Sequence, residues 1–118
     1  MEKVVVTLYT VGLSGMEFCV DQLVVPAKST EILAGYGKDH QKLFFPAEEL
    51  GSFVHFHAGK LNREGHSNLF FIERGGKIFV INVTIRGGHC DVYEEELSSS
   101  SRVWLPKYDH RIVVPKIN

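Results

Sequence analysis

NLFFIERGGKIFVINVTIRGGHCDVY, residues 68–93, carries two Gly-Gly pairs that punctuate runs of β-branched and aromatic residues. Glycine pairs take positive φ at both central positions of a two-residue hairpin, and Val, Ile, Phe and Thr suit a pleated surface. The stretch therefore predicts an antiparallel meander of three strands, 68–74, 77–86 and 89–95. Two-residue turns also set the register. Arg74 faces Lys77, Ile72 faces Phe79, Phe70 faces Ile81, Val83 lies between Asn68 and Val92, and Arg86 faces His89. Alternation then gives one nearly apolar face (Asn68, Phe70, Ile72, Phe79, Ile81, Val83, Ile85, Cys90, Val92), expected to meet the core. The other face (Leu69, Phe71, Glu73, Ile78, Val80, Asn82, Thr84, Asp91, Tyr93) is mixed. It has enough apolar area to call for cover by another strand or a second subunit.

Working outward, KVVVTLYTV and MEFCVDQLVV read as strands, STEILA as a short strand before the turn-like GYGKDH, and SRVWLP and HRIVVP as two closing strands after a serine-rich link. FPAEELG is a helix start, with Pro46 in the first turn, Glu48 and Glu49 favourable near the amino end, and Gly51 placed to terminate it. SFVHFHA, residues 52–58, fits a strand by alternation; Ala47, Leu50, Val54 and Ala58 also fit a helix running on through His57, but Gly51 and the alternation after it weigh against it. The fold expected is mainly β: a single-domain small antiparallel barrel or sandwich with one short helix, or alternatively α+β around the meander.

The chain has 118 residues, which predicts one domain over 1–118 with one modest core. Thirteen basic residues balance fourteen acidic ones, and the longest block of like charge is Glu94-Glu95-Glu96. That balance predicts neither nucleic-acid nor anionic-membrane partners. Cys19 and Cys90 are too few for a disulfide framework and read as thiols in a reducing compartment. The amino terminus has the pattern of neither a signal peptide nor a membrane span, so a cytoplasmic location is expected.

On a strand, His55 and His57 share a face and can chelate one ion through neutral imidazole. The alternative is that Val54 and Phe56 enter the core and the two imidazoles meet solvent. Trp104, Tyr36, Tyr93 and Tyr108 can line a pocket for an apolar or sugar ligand. His66 and Glu64 read as a polar loop tip, and Asp39 beside His40 as a solvated pair.

The stretch His55-x-His57, then Asn68, six residues and Gly75, followed by Pro106 and His110 near the end, resembles the paired motifs of the cupin family. The resemblance covers roughly residues 50–115. It implies a small β-barrel in which His55, His57 and His110 hold a divalent transition metal inside, with Asn68, Trp104 and Tyr108 lining a ligand pocket. Three departures stand out. Asn68 occupies the position of the family's glutamate ligand, ten residues separate His57 from Asn68, and no glycine falls between Pro106 and His110. Loss of the carboxylate favours binding over turnover, and no catalytic residue is assigned. Two functions are thus expected: a cupin-like small-molecule-binding protein, with or without metal, or a non-enzymatic, homodimeric β module for protein interaction whose surface is Leu69, Phe71, Ile78, Val80 and Tyr93.

Overall fold

The computed structural model describes residues 3–37 and 40–116. Along the described chain run β1 (Val5–Leu13), β2 (Met16–Leu23), β3 (Ala27–Lys28), α1 (Ser29–Ala34), α2 (Leu50–His57), β4 (Glu64–Arg74), β5 (Lys77–Arg86), β6 (His89–Glu96), β7 (Val103–Trp104) and β8 (Arg111–Pro115). The meander forms in the expected register, with Asn68 opposite Val83, Ile72 opposite Phe79 and Arg86 opposite His89. Both glycine pairs take positive φ, 61° and 78° at Gly75 and Gly76, 56° and 79° at Gly87 and Gly88.

Six strands make one sheet in the order β1-β2-β8-β4-β5-β6, and β3 pairs with β7 in a small ribbon. β8 runs antiparallel to β2 and parallel to β4. The fold is mainly β and sandwich-like, as expected, and of the two architectures anticipated the closed barrel is not the one formed. The large sheet is open, ending at β1 and β6. Among the described residues no helix is long and apolar enough to cross a membrane.

Each face of the sheet carries its own core. On one, Phe18, Val20, Phe70, Ile72, Ile81, Val83 and Val113 meet Phe45, Phe53 and Leu61. On the other, Leu23, Leu69, Phe71, Val80, Ile112 and Val114 meet Ile32, Leu33, Leu43 and Trp104. The mixed face of the meander is therefore covered by α1 and the small ribbon of the same chain. Leu69, Phe71 and Val80, expected at a subunit interface, are core residues. A strand buried on both sides reads as a continuous apolar run, and period-two alternation cannot say that both faces are covered. Conversely, Cys90 and Val92, expected in the core, are exposed, Val92 by 58%, because β6 is the sheet edge.

Two segments expected as strands are helices. STEILA is α1, its start held by Glu31, whose carboxylate accepts the Lys28 backbone N–H at 2.8 Å, and its Ser29, Ile32 and Leu33 turn inward at helical spacing. SFVHFH lies in α2, which extends a single-turn 3-10 segment at Ala47–Glu49 and continues through Gly51, and Ala58 opens the 3-10 turn that follows. Burying one aromatic ring outweighs the roughly 1 kcal/mol that glycine costs inside a helix. Phe53 is fully buried with its centroid 5.4 Å from those of both Phe18 and Phe45, whereas Phe56 is 67% exposed.

This arrangement distinguishes helix from strand by mutation. Phe53→Ala should lower the unfolding free energy by about 3–5 kcal/mol in urea titrations, and Phe56→Ala by less than about 1. Gly51→Ala should raise it by roughly 0.5–1 kcal/mol, because the added Cβ meets open space. A strand with Val54 and Phe56 inward would reverse the order of the two phenylalanine effects.

Candidate functional site

Two buried amides build the frame of the site. Asn68, fully buried on β4, accepts the Asn62 backbone N–H through Oδ1 at 2.7 Å and donates through Nδ2 to the carbonyls of Asn62 (2.9 Å) and Val83 (3.0 Å). Asn62 in turn accepts the N–H groups of Glu64 and His66 and donates to the Asp109 carbonyl at 3.1 Å. The pair ties the start of β4 to the 3-10 turn at Pro106–Tyr108 that leads into β8. Asn68 thus has no polar atom left for a ligand, and the pocket role expected for it is replaced by a structural one.

His110 sits at the exit of that turn, buried beside Trp104 with ring centroids 5.2 Å apart. Its Nδ1 accepts the Ser67 backbone N–H at 3.1 Å, which leaves the neutral ring's proton on Nε2. Burial, with the nearby charges of His66 and Arg102, pulls its pKa down to about 4 against the opposing pull of Asp109. The ring is therefore a neutral structural imidazole across the physiological range.

The three histidines expected around one ion are not brought together. In α2, residues two apart point to different sides of the helix, so His55 and His57 diverge. His55 is exposed against Phe56, and His57 donates from Nε2 to the Gly12 carbonyl at 2.8 Å, a bond that commits that nitrogen's proton. His57 lies beside Phe53 over one core, while His110 lies beside Trp104 over the other. An open sheet offers no barrel interior for them to enter. Among the described residues no three His, Cys, Asp or Glu side chains are grouped to hold a metal ion. Asp39 and the His40 side chain lie outside the described residues.

What the fold does assemble is a cavity of about 350 Å³ over the β7-facing side of the meander, bounded by Ser67, Asn82, Thr84, Tyr93, Glu95, Arg102 and Trp104. Trp104, expected in a pocket, lines it. Its indole N–H donates to Ser29 Oγ at 2.9 Å, fixing the ring, and the Arg102 guanidinium lies 4.4 Å from its centroid. Tyr108, also expected there, instead packs against His66 at 5.1 Å. Tyr36 donates to the buried Asp21 carboxylate at 2.6 Å, and Thr7 does so at 2.7 Å, so that ring is a clamp and not a pocket wall. Burial and the Asp21 charge push the Tyr36 phenol well above its usual range.

Asn82 is the feature the sequence reading placed on the correct face without a role. Its Oδ1 is buried and has no hydrogen-bond partner. Buried polar atoms are satisfied in the great majority of cases, so an orphaned acceptor in a cavity wall marks a place for a donor. The only signal in the sequence is an amide interrupting the apolar run FVINVTI. Among the described residues Arg111 Nε is the other buried side-chain atom without a partner. It adjoins a wider, more open groove near the end of α2, but its guanidinium is already neutralised by Asp109 at 2.5 Å.

The pKa of His110 gives a stability profile with a definite sign. Between pH 6.5 and about 4 the unfolded chain takes up a proton that the folded ring refuses, so stability falls as pH drops through that window. The full loss is roughly 3 kcal/mol. His110→Asn, which keeps an acceptor for the Ser67 N–H but cannot titrate, should flatten this acid limb in denaturation midpoints measured against pH. An unchanged slope in the variant would assign the acid sensitivity elsewhere.

No protein-family model, curated protein or solved structure matches this chain, so the reading of the site rests on its own geometry.

Proposed function

We propose that this protein is a small-molecule-binding module that holds a neutral, polyhydroxylated ligand of about monosaccharide size in the cavity over Asn82. The observation that carries the reading is the unpartnered Asn82 Oδ1 in a wall that also offers Thr84, Ser67, Tyr93 and Glu95. A sugar hydroxyl supplies the missing donor, and hydroxyls serve equally as donors to Glu95 and acceptors from Thr84. The volume lies at the small end of known ligand sites. Trp104 and Tyr93 supply the apolar surface against which the C–H face of a sugar ring packs, and one cation, Arg102, against one anion, Glu95, leaves the lining with no net charge. The reading needs no ion: His57 and His110 are hydrogen-bonded to the Gly12 carbonyl and the Ser67 N–H, and neither lines this cavity. The free thiols Cys19 and Cys90 support a reducing, cytoplasmic setting.

The test is a titration of isotope-labelled protein with glucose, galactose, mannose and myo-inositol, followed through the Asn82 side-chain amide and the Trp104 indole N–H. Saturable shifts at both groups are expected for at least one of the four. Asn82→Leu should abolish the shift at the Trp104 indole N–H, the reporter the variant retains, and leave thermal stability unchanged or raised, because it removes a buried unsatisfied acceptor. Were Asn82→Leu to destabilise the fold by more than about 2 kcal/mol, the side chain would be structural and the proposal lost.

A further inference from the structure

The sheet has two free edges, and they are built differently. β6 carries Asp91, Glu94, Glu95 and Glu96, with Glu94 and Glu96 paired to Arg74 and Lys77. Charge of that density is the ordinary guard against unwanted strand pairing. β1 has none. From Val4 to Met16 the chain holds no charged residue and no proline. Its nine-residue strand exposes Val6, Leu8 and Tyr9 by 38%, 37% and 40%, in a run of exposed positions from Val6 to Thr10. A register shift between Thr7 and Tyr9 is its one irregularity. Among the described residues no strand lies on its outer side.

We infer that β1 pairs antiparallel with β1 of a second copy of this chain, joining two six-stranded sheets across a two-fold axis near Leu8. Three features select that occupant. A strand with no charged residue of its own meets an identical one with only the Lys60 ammonium over Tyr9, 4.7 Å from its ring centroid, beside it, whereas β6 against β6 would set acidic side chains opposite one another. Pairing of β1 with β6 would gain no opposite charge and would leave an open edge at each end, free to grow. The two-fold arrangement instead consumes both uncharged strands and leaves only acidic ones outside, so the assembly closes as a dimer. An axis near Leu8 sets the seven residues Val5–Val11 of each strand opposite one another, enough for about six to eight main-chain hydrogen bonds, within the range of a typical interface. The dimer surface is therefore a strand edge, not the face of the meander.

Sedimentation equilibrium of the full chain should give twice the chain mass at submillimolar concentration, with no larger species. The double substitution Val6→Lys and Leu8→Lys should shift the dissociation constant upward by at least about tenfold, with the circular dichroism of the wild type retained. Val92→Lys, on the β6 edge, should leave it unchanged. Amide exchange of the wild type gives a reading independent of any variant: protection at residues 6–10 should rise with protein concentration. A wild type that stays monomeric, a mass that keeps growing beyond the dimer, or a dimer broken by Val92→Lys and not by the β1 substitutions would each overturn the inference.

Discussion

The insertion of β8 between β2 and β4 is the constraint on which the molecule depends. Five residues, Arg111–Pro115, hydrogen-bond to the amino-terminal hairpin on one side and to the meander on the other. The same residues supply both cores, Val113 to one and Ile112 and Val114 to the other. Neither hairpin nor meander can bury two faces alone. Because β2 and β8 lie at opposite ends of the chain, the sheet joins only after a long loop closes, which places this fold among those of slow, non-local topology.

That junction also explains the two amides. Asn68 reaches two backbone carbonyls and one N–H, a set that needs both donors and an acceptor on one short side chain. An ionised carboxylate there would keep the Asn62 N–H as a donor but set its second oxygen against the carbonyls of Asn62 and Val83, leaving a buried charge poorly satisfied. The residue standing where the cupin resemblance has a glutamate is thus demanded by local backbone geometry. Through Asn62 it holds the turn that delivers His110 and Arg111 to the head of β8.

The meander was legible to the residue pair because a two-residue turn leaves one register, and the glycines declare the turn. The helix start at FPAEELG forms where expected, but α1 and the course of α2 through 52–57 are not legible. Six and eight residues make about two turns each, too little for a 3.6-residue period to outweigh two histidines that imitate a period of two. The spacing of Ala47, Leu50, Val54 and Ala58 fits a helix and Gly51 opposes it; what decides is Phe53 seated among Phe18, Phe45 and Phe70, a long-range fact. Once 50–57 is helical, the expected ligand set comes apart. Trp104 was legible as a pocket residue because a large ring with one donor needs both cover and a partner. Asn82 was visible as an amide in an apolar strand, but that its acceptor lacks a partner follows from how Arg102 and Trp104 close over β5, which no local pattern encodes.

Strand order then decides how binding and pairing relate. Asn82 lies on β5 and Leu8 on β1, four strand spacings apart, roughly 20 Å across the sheet. Between them run β2, β8 and β4, with apolar side chains packed on both faces, so the two ends form one stiff body. A second copy added at β1 extends the sheet away from the cavity and covers none of its walls. Each protomer of the closed pair keeps its cavity at an outer end, beside the acidic β6 edge that no strand is drawn to cover. Pairing can therefore stabilise the fold without changing ligand affinity, since no element of the site changes state when β1 acquires a neighbour.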